Sequence, residues 1–97
     1  MGRMRGYRLL YSKTTRRLIA ALHPEIKAIV RSRLDGLKKE PFTGKRLVRE
    51  LAGYRSLRAG RYRIIYKVNE AKKAIEVHYV GHRRDIYEIL AERPDSP

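Results

Sequence analysis

Three runs in the second half of the chain, at about residues 54–59, 61–69 and 74–80, alternate side chains with a period of two. That period most constrains what the chain can fold into, because only an extended strand sends successive side chains to opposite faces. In the middle run Tyr62, Ile64, Tyr66 and Val68 share one face, while Arg61, Arg63, Ile65 and Lys67 share the other. In the last run Ile75, Val77 and Tyr79 alternate with Glu76, His78 and Val80, and Gly81 ends the strand. Asn69 to Lys73 supplies the hairpin turn between these two runs. A sheet built this way has an apolar face that needs a cover and a cationic face open to a partner.

The first half supplies the cover. Residues 7–11, YRLLY, read as a short first strand, and Ser12 or Thr14 can cap a helix running to about Leu22. Leu18, Ile19 and Leu22 mark one face of that helix. His23-Pro24 breaks it, and proline suits the first position of a second helix. Ile26, Ile29, Val30, Leu34 and Leu37 then recur at helical spacing until Pro41. Two helices joined so tightly form a hairpin that can cover one sheet face. Residues 41–53 read as a connection anchored by Leu47 and Leu51, and Asp85 can cap a short final helix carrying Ile86, Ile89 and Leu90. The expected class is α+β: a curved antiparallel sheet of about four strands, an N-terminal helical hairpin on one face and a short C-terminal helix, all in one domain spanning 1–97.

Charge sets the kind of partner. The chain carries 24 Lys and Arg against 10 Asp and Glu, a net +14 on 97 residues. Self-repulsion on that scale opposes the compact state unless counterions or a partner relieve it, and a phosphate backbone is the usual partner. There is no cysteine, which excludes disulfides, thiolate chemistry and cysteine zinc sites. No apolar run approaches the roughly 20 residues of a membrane span. The opening MGRMRGYR is basic but has no apolar segment behind it, so it does not read as a secretory signal, and a cytoplasmic location is expected.

Two stretches carry a family resemblance: Arg58-Ala-Gly-Arg-Tyr-Arg63 followed by an apolar strand, and Val80-Gly-His-Arg-Arg-Asp-Ile-Tyr87. At this separation, on this order of elements, the chain resembles the RelE/ParE superfamily of toxins from type II toxin–antitoxin pairs, and most closely its RelE branch. The resemblance runs from Tyr7 to about Leu90. It implies a ribosome-dependent endoribonuclease, an mRNA interferase that cuts messenger RNA in the ribosomal A site and so inhibits translation. It implies no metal or other cofactor, because the substrate's own 2′-hydroxyl attacks the adjacent phosphate. The implied partners are the ribosome, mRNA and a cognate RelB-like antitoxin that holds the toxin in a hetero-oligomer, with no membrane involved. Two further readings stay open: a ParE-like inhibitor of DNA gyrase, and a basic nucleic-acid-binding module without catalysis.

In-line attack needs an acceptor for the hydroxyl proton, stabilisation of the charge gathering on phosphorus, and neutralisation of the leaving 5′-oxygen. Arginine suits the second task because it stays charged and offers paired donors. By resemblance, Arg63 is the charge-stabilising arginine, Arg83 the leaving-group arginine and Tyr87 the residue that stacks on or positions the base. Arg58, across the Ala59-Gly60 corner and alternating with Ser56, is expected to bind phosphate. Arg55, Arg61, Lys67 and Arg84 are expected to contact RNA. Some RelE members carry two lysines where this chain has Tyr54 and Ser56, so the proton acceptor is open. His82 is the candidate inside the motif and His78 a second, and positioning on the ribosome without a true base is the third possibility.

Overall fold

The computed structural model describes residues 6–82. The expected C-terminal helix lies outside them, as do Arg83, Arg84 and Tyr87. The chain forms β1 (Arg8–Tyr11), α1 (Lys13–Ala20), α2 (Pro24–Lys39), β2 (Lys45–Arg46), a single 3-10 turn (Arg49–Leu51), β3 (Arg55–Ala59), β4 (Tyr62–Asn69) and β5 (Ala74–His82). Local signals set the helix boundaries. Ser12 caps α1, its Oγ accepting from the Thr15 amide at 3.0 Å. Pro24 opens α2, and His23 Nδ1 accepts from the Glu25 amide.

The sheet has five strands in the order β1-β5-β4-β3-β2. It is mixed, because β1 runs parallel to β5 while every other pair is antiparallel. The expectation of about four antiparallel strands is corrected on both counts. The pairing of β1 with β5 joins distant parts of the chain and leaves no local mark. β2 is two exposed residues, Lys45 and Arg46, with no apolar alternation to reveal it.

β5 departs from the expected alternation in one place. The pairing passes from Ile65 opposite Tyr79 to Tyr66 opposite Val77, which leaves His78 as the extra residue of a β-bulge. The bulge reverses the phase of the strand beyond it. Ile75 and Val77 face the helical layer as expected, but Tyr79 crosses to the opposite face beside Ile65, and Val80 takes the helical side beside Ile64. The strand also continues through Gly81 to His82 instead of stopping at Gly81.

The main core lies between the sheet and the helices, with Val30, Leu34 and Leu37 of α2 against Ala59, Ile64, Tyr66, Ile75, Val77 and Val80. A smaller cluster forms on the other face, where Ile65 and Tyr79 pack with Leu18, Leu47 and Tyr54. α1 packs beside β5 and feeds both clusters: Leu18 reaches the small one, Ile19 and Leu22 the main one. Tyr66 pegs the connection after α2 to the sheet. Its fully buried hydroxyl donates to the Pro41 carbonyl at 2.8 Å and accepts from the Gly44 amide at 2.8 Å. Among the described residues no helix is long and apolar enough to cross a membrane.

Candidate phosphate-binding site

The site is organised by the β3–β4 hairpin. Ala59 and Tyr62 close it, leaving the two-residue loop Gly60-Arg61. Gly60 has φ +66°, the left-handed value that a tight hairpin of this length asks of its first loop residue, and which glycine adopts without a Cβ clash. So short a loop fixes the register, and the register sets Arg58 directly opposite Arg63. Residues opposite one another share a face, so the two guanidinium groups rise from the same side of the sheet.

Like charges in directly opposed positions destabilise an antiparallel pair. Among the described residues Asp35 pairs with Lys38 and Glu76 lies 3.8 Å from His78 Nε2, and neither carboxylate is paired with Arg58 or Arg63. Arg58 is exposed. Arg63 is half-buried, and its Nη1 donates to Ser56 Oγ at 3.0 Å. Arg58, Gly60, Arg61, Tyr62 and Arg63 line an open pocket at the hairpin end. Unpaired guanidinium groups around such an opening can grip a phosphate through paired N–H donors.

Across β4 from Arg58, the residue opposite Arg63 is Gly81. The Tyr79 ring lies against it, and any Cβ at position 81 would overlap Tyr79 Oη. The space beside Arg63 is therefore bounded by bare backbone and a phenol. Sequence reasoning missed this role of Tyr79, because simple alternation assigns it to the other face.

The remaining candidates are dispersed. Arg61 sits in the loop and lines the same pocket as the pair. Lys67 lies further along the Arg63 face, its Nζ 4.8 Å from the Tyr54 ring centroid. Arg55 is engaged in the fold: its Nη1 donates to the Phe42 and Gly44 carbonyls at 3.1 and 2.8 Å, and its guanidinium lies 5.0 Å from the Phe42 ring centroid. His82 stands opposite Tyr62 and stacks on it, with ring centroids 4.5 Å apart and planes 35° apart. Alternation puts that stack on the side of Ile64 and Val80, away from Arg63. His78 is enclosed at the bulge. Its side chain is 6% exposed, 3.8 Å from Glu76 Oε1 and edge-on to Tyr54 at 5.1 Å. The described structure thus sets Arg58, Arg61 and Arg63 around one opening that Tyr62 also lines; His82 stacks on that tyrosine, and His78 is enclosed at the bulge.

Tyr66 and Tyr11, which stand away from the arginine pair, have displaced pKa values. Burial raises that of Tyr66 above its usual value, against the Gly44 amide and Arg55, which lower it. Burial also raises that of Tyr11, helped by Asp35 and opposed by Arg31 and Arg16. No group of three or more His, Cys, Asp or Glu among the described residues could hold a metal.

Residues 10–87 match the family described as the ParE toxin of the type II toxin–antitoxin system parDE. The chain is similar to Toxin RelG of Mycobacterium tuberculosis, 39% identical over 83 residues that make up 84% of this chain and 95% of the relative. Its fold is similar to the toxin–antitoxin complex RelBE2 of the same organism, with TM-score 0.72 and 36% identity over 80% of this chain and 99% of the other. A mutant E. coli toxin RelE in the free state shares the fold at TM-score 0.74 and 20% identity, covering 90% of this chain and 93% of the other. The chain therefore belongs to the ParE/RelE superfamily of toxins of type II toxin–antitoxin systems.

Proposed function

We propose that this toxin is a ribosome-dependent endoribonuclease that cuts messenger RNA by attack of a 2′-hydroxyl on the adjacent phosphate, without a metal. The observation that carries the reading is the opposed pair Arg58 and Arg63, two cations at directly paired positions on one sheet face with no acidic partner among the described residues. An anion between them turns an electrostatic cost into a binding site. A phosphate passing through a pentacoordinate transition state gains charge, so the pair favours that state over the bound substrate.

In this reading Arg63 stabilises the charge on phosphorus and Arg58 holds the phosphate. Arg83 neutralises the leaving 5′-oxygen and Tyr87 stacks on a base. Arg61, Lys67 and Arg84 add contacts to the RNA. For proton acceptance the candidates are His82, stacked on the pocket-lining Tyr62, then His78 at the bulge, then positioning on the ribosome without a true base. The ribosome's placement of the 2′-hydroxyl in line with the phosphate supplies much of the rate. The toxin acts in the cytoplasm, and a small acidic antitoxin neutralises it in a hetero-oligomer. Support for that partner comes from the RelBE2 complex and from the archaeal RelE–RelB complex of Pyrococcus horikoshii, which this fold resembles at TM-scores of 0.72 and 0.66.

A ParE-like action on gyrase is the second reading, favoured by the name of the matching family. Purified toxin added to translating ribosomes should cut the message at discrete A-site positions, and Arg63→Ala should slow cutting by about 100-fold or more. Intact message, together with trapped gyrase–DNA complexes in a parallel assay, would decide for gyrase. Weakened binding with no cleavage by either protein would leave a binding module.

A further inference from the structure

Arg63 is held on one side and bounded on the other. From β3, Ser56 Oγ accepts a hydrogen bond from its Nη1 at 3.0 Å. Toward β5, Gly81 contributes no side chain, and the Tyr79 ring covers the position a side chain would take. Ser56 is 6% exposed and Tyr79 3% exposed, so both boundaries are fixed parts of the packed sheet. Ser56 lies opposite Ile65, the residue that also pairs with Tyr79. One row across three strands, Ser56-Ile65-Tyr79, therefore underlies the arginine.

We propose that Ser56 is the positioning residue of Arg63, a neutral acceptor that orients the guanidinium and leaves its charge whole. Arginine has five N–H donors, and the bond to Ser56 uses one of them. The rest of the fork stays available to a phosphate. A carboxylate at position 56 would hold Arg63 as firmly but would cancel the charge that attracts the substrate. Alanine would leave the charge and release the orientation. Serine meets both requirements with one oxygen. Tyr79 adds a wall that keeps the long side chain from swinging over Gly81.

For catalysis the inference rests on the nuclease reading, so the test has two arms on the full chain. In the first, Ser56→Ala should lower kcat for ribosome-dependent cleavage by about tenfold at nearly unchanged KM, because orientation is lost and charge is not. Ser56→Thr, which keeps the acceptor, should recover most of that loss, and Ser56→Asp should lower kcat and raise KM together. In the second arm, nitrogen-detected NMR of the Arg63 guanidinium needs no activity. Rotation about its Cζ–Nη1 bond should be slowed in wild type and Ser56→Thr and released in Ser56→Ala. Equal rotation in wild type and Ser56→Ala overturns the proposal, as does an active Ser56→Ala enzyme with wild-type kcat. A wild-type chain that cuts no RNA refutes the nuclease reading, and the NMR arm then decides the seat of Arg63 alone.

Discussion

Arg58 and Arg63 stand directly opposite one another across the β3–β4 hairpin, on the face away from the main core, with no acidic partner among the described residues. Their mutual repulsion is a cost the free protein bears and a bound phosphate removes. Arg58→Gln should therefore stabilise the free toxin by about 0.5 kcal/mol at low salt while cutting cleavage by about tenfold or more. The gain should fade as added salt screens the exposed Arg58 charge. Urea midpoints at two salt concentrations, read beside cleavage rates, check both halves. A variant less stable than wild type at low salt would show that the pair is not repulsive.

Gly81 and Tyr79 make a second test, of the contact that bounds the space beside Arg63. Gly81→Ala places a methyl group into the Tyr79 hydroxyl and ring carbon. Both lie in the packed sheet, so the ring must leave its place, at a cost of about 2 kcal/mol. The penalty should shrink when Tyr79→Leu is already present, and a double-mutant cycle measures that coupling. Zero coupling in that cycle would show that the Tyr79 ring does not lie over Gly81.

The bulge at His78 marks where the sequence stopped being sufficient. The strands and helices announced themselves through period and caps: Ser12, Pro24 and the apolar rows of α2 and β4 fall where their chemistry puts them. Alternation set Arg58 with Ser56 and turned Arg63 away from Tyr62 and Ile64, but the two-residue loop that puts the arginines directly opposite one another shows only in the structure. One inserted residue in β5 inverts every face beyond it, and no glycine or proline at His78 gives notice. The same inversion hides Tyr79 as a neighbour of the site and turns Gly81 to face the Arg63 side. β2 escaped notice because two exposed cations carry no period at all. Arg55 reads as one more surface cation, and only the three-dimensional path of residues 42–44 shows it binding carbonyls.

Arg55 accordingly separates a structural arginine from a substrate-binding one. Arg55→Ala loses both carbonyl contacts and the stack on Phe42. Since the group is only partly buried, the expected loss is about 1 kcal/mol of stability. Cleavage below the melting range should stay within about twofold of wild type, because Arg55 lies on the face of Tyr66, away from Arg63. A large fall in cleavage with unchanged stability would return Arg55 to the RNA-contacting set.

Tyr66 offers a prediction in which pH gives the sign. Its hydroxyl joins the Gly44 amide to the Pro41 carbonyl inside the core, so Tyr66→Phe leaves both backbone groups buried without that partner and should cost about 2 kcal/mol at neutral pH. Burial raises the folded-state pKa of Tyr66 above its ordinary value of 10.0. Between the unfolded and folded values, the unfolded chain has already released this proton and the native chain still holds it. The unfolded state then binds fewer protons, and stability falls as pH rises. The contribution is whole below pH 10 and declines above it. The gap between wild type and Tyr66→Phe should accordingly narrow as pH climbs past 10, while the part of the alkaline loss due to Tyr11, whose pKa burial also raises, persists in both. Chemical denaturation of the two proteins from pH 8 to pH 11 measures the gap directly. A gap that widened with pH would mean that the phenolate, not the phenol, is the form the fold prefers.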